Sequence, residues 1–317
     1  MRGSTPSWAL TLVFSILILA AGGAAWAQTP WRVGTWKTAQ TIQPFFYAQV
    51  LKGQPVEVLP FTNPADQKMA LMAGSLDMCG TTLAHAIHAA SRGEPVVVVA
   101  ALCNKCSALV VRADGPIRAV ADLAGGKIGY VPGTMHEILL RETLTQHGLN
   151  PNKDVSLVRV DFFDMGQALA GGAIDAFLSG EPFPTLAVQS GFGRVLAYPY
   201  YGQGVGTINA GMLVKRQTIA QRPELVAGLV AAHAQATEYL KAHPDQWLQR
   251  AAGFGAPLAI LQKAAPNMEL AWDMDEAFIA RVAALGGRMK ALGIIAREPD
   301  YRQLVDLRFV QEVKRKP

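Results

Sequence analysis

The sequence predicts an α/β fold in two lobes, and three observations predict it. Segments of strand character alternate with segments of helix character from Trp31 to Pro199, the rhythm of mainly parallel sheets covered by helices. That rhythm breaks around Cys103-Asn104-Lys105-Cys106 and restarts at Ala108. Of the 317 residues, the 290 left after an N-terminal segment read as cleavable exceed what one domain ordinarily holds.

That N-terminal segment has the three parts of a secretory signal. Arg2 is the positive end, Trp8 to Ala21 is an uncharged apolar run, and Ala25-Trp26-Ala27 is a small-residue cleavage site. The run is short for a membrane span, and no Cys follows it to carry a lipid. Residues 1–27 are therefore expected to be removed and the chain from Gln28 onward to be exported. Lys and Arg total 29 and Asp and Glu 24; without Arg2 the balance is 28 against 24, a charge of +4. Part of that excess is the tail Lys314-Arg315-Lys316, and no basic stripe with interleaved aromatics appears, so nucleic acid is not an expected partner.

Taken in order, Trp31 to Gly34 reads as a strand, Ile42 to Leu51 as a helix, Val56 to Pro60 as a strand and Asn63 to Ala73 as an amphipathic helix. Ser75 to Met78 leads into a loop, Cys79-Gly80-Thr81-Thr82, before a helix from Leu83 to Ser91. Pro95 to Leu102 is an unbroken apolar run, as in a strand buried on both faces. Ala108 to Arg112 is a strand, and Ile128 to Val131 another, turning through Pro132-Gly133 into a helix capped by Thr134. Strands at Ser156–Asp161, Ala173–Ser179 and Val195–Pro199 alternate with helices at Phe163–Ala170 and 182–192. Ala210 to Val214 matches Ala108 to Arg112 in kind, and from Gln221 the chain is helical, with Pro223 and Glu224 opening a helix to about His243. Two β-α units joined by two strand-like connections give residues 28–106 with 210–317 as one lobe, residues 107–209 as the other, a two-strand hinge, and a ligand cleft where the strand ends of both lobes meet.

Several stretches carry a family resemblance: Val33-Gly34-Thr35, Gly74-Ser-Leu-Asp-Met78, Asp122-Leu-Ala-Gly-Gly-Lys-Ile-Gly-Tyr130, Pro132-Gly-Thr134, Gly172-Ala-Ile-Asp-Ala-Phe-Leu-Ser-Gly-Glu-Pro-Phe183, and Gly293-Ile-Ile with Asp300-Tyr301 and Leu304 to Phe309. In order and spacing they resemble the periplasmic substrate-binding proteins of the sulfonate, nitrate and taurine class of ABC transporters, a superfamily shared with the thiamine-pyrimidine-precursor binding proteins. The resemblance implies a periplasmic-binding-protein fold of type II that closes about its hinge on a small ligand. It further implies a periplasmic monomer that delivers its solute to the membrane subunits of an ABC importer, with no cofactor and no reaction. This chain departs from the pattern in Cys79, Thr81 and Thr82, with His85 and His88 behind, and in Cys103 and Cys106.

The candidate ligand contacts sit at strand ends. Gly133, Thr134, Met135 and His136 open a helix whose free N–H groups suit an oxyanion. Thr35, Trp36, Lys37 and Thr38 follow the first strand; Trp36 can stack on a flat ligand and Lys37 pair with an anion. Cys79, Gly80, Thr81 and Thr82 offer backbone approach and hydroxyls, Glu181 an acceptor for an amine, and Asn209 a hydrogen bond at the return crossover. These lean toward an anionic or zwitterionic organic solute, sulfonate-like or aromatic and amine-bearing. Cys103 and Cys106 admit three readings: a disulfide, expected in an oxidising compartment; unbonded thiols at the hinge; or soft-metal ligands completed by Cys79, Met135 or His136. The last would make metal or a metal complex the ligand. No nucleophile triad or acid pair supports an enzyme, and a ligand-presenting sensor is the remaining alternative.

Overall fold

Two sheets divide the chain between them in this computed structural model, which describes residues 1, 3, 29–200 and 204–315. The expected signal segment thus lies outside the described residues, Met1 and Gly3 aside, as does Lys316 of the basic tail. The strands are β1 (Trp31–Trp36), β2 (Val56–Phe61), β3 (Met78–Thr82), β4 (Val96–Lys105), β5 (Ser107–Arg112), β6 (Lys127–Tyr130), β7 (Ser156–Arg159), β8 (Ala176–Gly180), β9 (Gly193–Ala197), β10 (Ile208–Lys215) and β11 (Met268–Leu270). The first sheet has the order β2-β1-β3-β10-β4-β11 and the second β7-β6-β8-β5-β9.

Each sheet repeats one plan. In the first, β1 pairs in parallel with both β2 and β3, and β10 is inserted antiparallel between β3 and β4. In the second, β6 pairs in parallel with β7 and β8, and β5 is inserted antiparallel between β8 and β9. The inserted strand is in each case the one that arrives from the other lobe. The chain leaves β1 for β2 on one side and returns to β3 on the other, and does the same around β6. Each lobe therefore has a switch point at the carboxyl ends of its parallel strands, where open α/β sheets leave a crevice.

Burial explains the placement. Val96 to Leu102 of β4 are all buried, as the continuous apolar run requires. One face of the second sheet joins the main core through Ile138, Leu140 and Leu144 of the helix Met135–Gln146. Its other face packs Val110 and Phe177 under Met165 and Leu169. Among the described residues no helix is long and apolar enough to cross a membrane.

Three local expectations change. Residues 42–51 are not one helix: 3-10 turns at Ala39–Thr41 and Gln43–Phe46 precede a single α-turn, Tyr47–Val50. Cys79 to Thr82 are strand rather than loop, since β3 is flanked by β1 and β10. β4 runs on to Lys105, so Cys103 lies within a strand, paired with Ala210 and Leu270.

Candidate ligand-binding site

The two switch points face one another across a cavity at the lobe boundary. From the first lobe come Trp36, Thr38, Gln40 and Thr41 after β1, Thr62 after β2, Thr82 at the end of β3, and Cys103. The second supplies His136 after β6, Phe162 and Phe163 after β7, and Gly180 and Phe183 after β8; Cys106 and Asn209 close the hinge side. Phe162 lies parallel to Phe183 at 6.3 Å, Phe163 meets Phe183 edge-on at 5.0 Å, and His136 stands edge-on to Phe162 at 5.3 Å. The Trp36 indole is the aromatic surface of the opposite lobe. The free space within it is about 30 Å³, room for a water or so, and Thr62 and Phe163 on its rim are exposed to solvent.

Contacts of the protein's own hold the lobes together. Asn267 Nδ2 donates to Glu181 Oε1 at 3.2 Å, and Tyr200 Oη donates to Asn267 Oδ1 at 2.7 Å while accepting from Ser107 N at 3.0 Å. Arg288 pairs with Glu142, and Lys263 donates to Gln189. His85 of the first lobe packs on Gly133 of the second, so closely that a Cβ there would lie 2.6 Å from His85 Nε2. With φ at +74°, Gly133 is the residue this turn requires.

Two buried polar atoms at the cavity, Trp36 Nε1 and Gln40 Oε1, have no hydrogen-bond partner, and the His136 imidazole meets the Cys106 thiol. Unpaired buried polar groups are costly and rare in folded proteins. Here they surround one space and present both donor and acceptor capacity to it. Among the described residues no Lys or Arg lines the cavity.

Of the sequence-predicted residues, Trp36, Thr38, Thr82, Cys103, Cys106, His136 and Asn209 meet here. Asn209 ties the crossovers together, donating from Nδ2 to Lys105 O at 2.8 Å and to Cys106 Sγ at 3.2 Å. The others are elsewhere. Thr35 braces the first loop, donating to Thr41 O at 2.7 Å. Lys37 is exposed to solvent, and Cys79, Gly80 and Thr81 are buried within β3. Glu181 is occupied by Asn267 and by the backbone N–H of Thr185 at 3.1 Å; burial raises its pKa above the ordinary carboxyl value.

The helix N-terminus at Thr134 is already filled. Thr134 Oγ1 accepts from Glu137 N at 3.3 Å, and Glu137 Oε2 accepts from Gly133 N at 2.6 Å. Glu137 Oε1 is held by Arg141 Nε at 2.8 Å. Thr134-Met-His-Glu137 is thus a capping motif of the Thr-x-x-Glu kind, legible in the sequence, with the Glu137 carboxylate drawn back onto Gly133 N beside the expected oxyanion seat. Met135 is buried away from the cavity.

The soft-metal set is not assembled either. Cys79 and Met135 lie off the cavity, and among the described residues no group of three or more His, Cys, Asp or Glu side chains is placed to hold a metal ion. All three cysteines are free thiols, so Cys103 and Cys106 are not disulfide-bonded here. Gln40, Thr41, Thr62, Phe162, Phe163, Gly180 and Phe183 complete the lining without having been singled out as contacts. Their signal was position after a strand, and the consecutive aromatics Phe162-Phe163 were the most visible part of it.

Gly180 gives a first prediction. A Cβ there would sit 3.1 Å from both Cys106 Sγ and His136 Nε2. Gly180→Ala should cost about 1 kcal/mol in stability, the low end for overpacking against side-chain ends. It should nevertheless remove most of the stabilisation that a bound ligand confers. Melting curves with and without ligand check both parts.

Comparison with known proteins places the fold and the family. Residues 46–247 match the family described as NMT1/THI5 like. A 66-residue stretch, 21% of this chain and 10% of its partner, is 47% identical to the nitrate import ATP-binding protein NrtC of Synechococcus elongatus. Over 163 residues, 49% of this chain and 44% of its partner, 29% identity relates it to the 4-amino-5-hydroxymethyl-2-methylpyrimidine phosphate synthase of Saccharomyces cerevisiae. The chain therefore spans less than half the length of either curated relative. In three dimensions it superposes on the alkanesulfonate-binding protein SsuA from Xanthomonas axonopodis pv. citri bound to MOPS, with a TM-score of 0.77 and 21% identity over 88% of this chain and 99% of the other. Identity that low establishes the two-lobed periplasmic-binding-protein fold of type II and nothing finer. With the family match covering most of the folded residues, this chain belongs to the NMT1/THI5-like family.

Proposed function

We propose that the protein captures a small, flat organic solute between its lobes and delivers it to an ABC importer. The single observation behind this reading is the cavity between the lobes, lined by Trp36 on one side and the Phe162–Phe183 wall on the other, in which Trp36 Nε1 and Gln40 Oε1 stand unpartnered. Aromatic walls hold a planar ring, and unpaired donors and acceptors fix its orientation. A bare anion fits less well: among the described residues no cation lines the space, and Glu137 already holds the helix N-terminus. The solute is therefore an aromatic or amine-bearing compound, zwitterionic or neutral, rather than a simple alkyl sulfonate or nitrate. The family membership and the signal-like N-terminus support export to the periplasm and action as a monomeric carrier. Binding without turnover is the reading taken here, although the cavity sets the Cys106 thiol against the His136 imidazole and a synthase stands among the relatives.

A thermal-shift screen of protein stripped of ligand by partial unfolding and dialysis tests the reading. The panel holds alkyl sulfonates, taurine, nitrate, aromatic amino acids and 4-amino-5-hydroxymethyl-2-methylpyrimidine. A ligand at a hundred times its Kd stabilises by ~2.7 kcal/mol. Hits are expected among the ring compounds; shifts with nitrate or alkyl sulfonates alone would overturn the proposal, and sustained product formation from a ring compound would move the protein to the enzymes.

A further inference from the structure

The chemistry of Cys103 and Cys106 is not used by the reading above, and their placement is specific. Both line the ligand cavity. Cys103 is fixed in β4 by its pairing with β10 and β11. Two successive residues, Lys105 at φ 57° and Cys106 at φ 82°, then adopt the left-handed conformation. Non-glycine residues do so rarely, and functional sites are where such turns concentrate. This turn folds the chain so that the Cys106 thiol meets the Cys103 side chain. Asn209 Nδ2 holds Cys106 Sγ on one side, and the His136 imidazole stands on another: Cys106 Sγ and His136 Nε2 each lie 3.1 Å from the point a Gly180 Cβ would occupy. Cys79, the third thiol, is buried in β3 and takes no part.

We propose that Cys103 and Cys106 form a reversible dithiol–disulfide pair that reshapes the ligand cavity, and that lobe closure shields them from exchange. The second half rests on the reading of this cavity as the ligand site. The oxidant is a small external disulfide. The Cys106 thiolate attacks one of its sulfurs, forming a mixed disulfide and expelling one thiolate. The Cys103 thiolate then attacks Cys106 Sγ, expelling the second. The protein loses two protons and two electrons, one S–S bond breaks and one forms, and two small thiols carry the protons away.

In the closed state the thiols are hard to reach and slow to ionise. Each is almost wholly buried, and its hydrogen bond with Cys103, followed by burial, holds the Cys106 thiol well above its ordinary pKa. Only thiolates exchange. Opening the lobes removes the Phe162, Phe163 and Phe183 wall, and with it the shield. Once bonded, the two sulfurs no longer carry hydrogens to donate, and Cys106 Sγ is drawn toward Cys103 while still placed to accept from Asn209 Nδ2. Whatever favours the closed, occupied cavity therefore also slows oxidation.

The test uses the purified full-length mature chain in buffers of defined ratio of reduced to oxidised glutathione. The protein is quenched by alkylation under denaturing conditions and weighed intact. Three alkyl groups are expected under reducing conditions and one, on Cys79, under oxidising ones, with peptide mapping locating the bond between Cys103 and Cys106. In parallel, the Trp36 emission, isolated by difference against Trp36→Phe, should shift on oxidation and stay fixed in Cys103→Ser. Full alkylation at every ratio, a glutathione adduct left unresolved on Cys106, or a bond to Cys79 overturns the pair. A Cys103–Cys106 bond that leaves Trp36 emission unmoved overturns its link to the cavity. None of these readouts needs the solute, so they stand apart from the fate of the ligand screen.

Discussion

Lowering the pH from about 6.5 toward 4 should strip several kcal/mol from the stability of this protein. Two imidazoles carry the effect, one buried and one half-buried. His233 sits in the core of the first lobe, with Nδ1 3.0 Å from Tyr47 Oη and Nε2 2.8 Å from Ala101 O and 3.1 Å from Ala271 O. Carbonyls accept, so Nε2 carries the hydrogen and Tyr47 donates to Nδ1. A second proton has no place in that arrangement, and burial lowers the pKa to about 4. His85 is lowered to about 4 by burial, then by Lys68 and His88. In the unfolded chain each titrates near 6.5.

Because the folded pKa is below the unfolded one, the unfolded state binds protons first. The stability is fully present above pH 6.5 and is lost progressively as pH falls toward 4. Each group contributes about 3 kcal/mol over that window, against a total of about 5–15 kcal/mol for a native protein. Glu181, raised by burial, works in the opposite direction. Urea unfolding at pH 7.5, 5.5 and 4.5 measures the slope; a midpoint that does not move over this range refutes the assignment. His233→Ala should lower stability by about 3–5 kcal/mol, since it leaves a cavity and strands Tyr47 Oη and two carbonyls. It should also flatten the pH profile.

Replacing Trp36 by alanine should raise the Kd for the cognate ring compound about thirtyfold or more. Aromatic residues at the centre of a closed site are worth about 2 kcal/mol on truncation, and 1.4 kcal/mol is tenfold. Trp36→Phe keeps a ring but loses the unpartnered Nε1 donor, so it should fall between the two. Lys37→Ala is the informative control. Lys37 is adjacent in sequence but exposed and off the cavity, so its removal should leave Kd unchanged. Isothermal titration with the strongest hit of the screen decides the matter: lost affinity in Lys37→Ala with none lost in Trp36→Ala would restore the anion reading.

The fold was largely legible because its signals are local or periodic. The apolar run of β4 and the Thr82-capped helix Leu83–Ser91 lie where the residues place them. What escaped depends on neighbours. Met78-Cys-Gly-Thr-Thr82 has little intrinsic strand preference and becomes a strand because β1 and β10 hold both of its edges. Phe162 and Phe163 belong to no motif; they matter because β7 ends beside the switch point around β6, which is visible only once the strand order is known. The Glu137 cap is a different case. Its spacing from Thr134 was available, but the same turn also reads as an anion seat, and only the position of the carboxylate separates the two.

That carboxylate has a consequence for selectivity. Inorganic oxyanions compete for any vacant helix terminus, and a receptor that left one open would be held in part by whichever such ion was most abundant, its free fraction and apparent affinity reduced accordingly. A tethered anion cannot be washed out or outcompeted at ordinary concentrations, since Glu137 is delivered by its own helix and anchored by Arg141. On the proposed reading, discrimination would begin here, with a fixed carboxylate repelling the commonest wrong guests before the right one arrives.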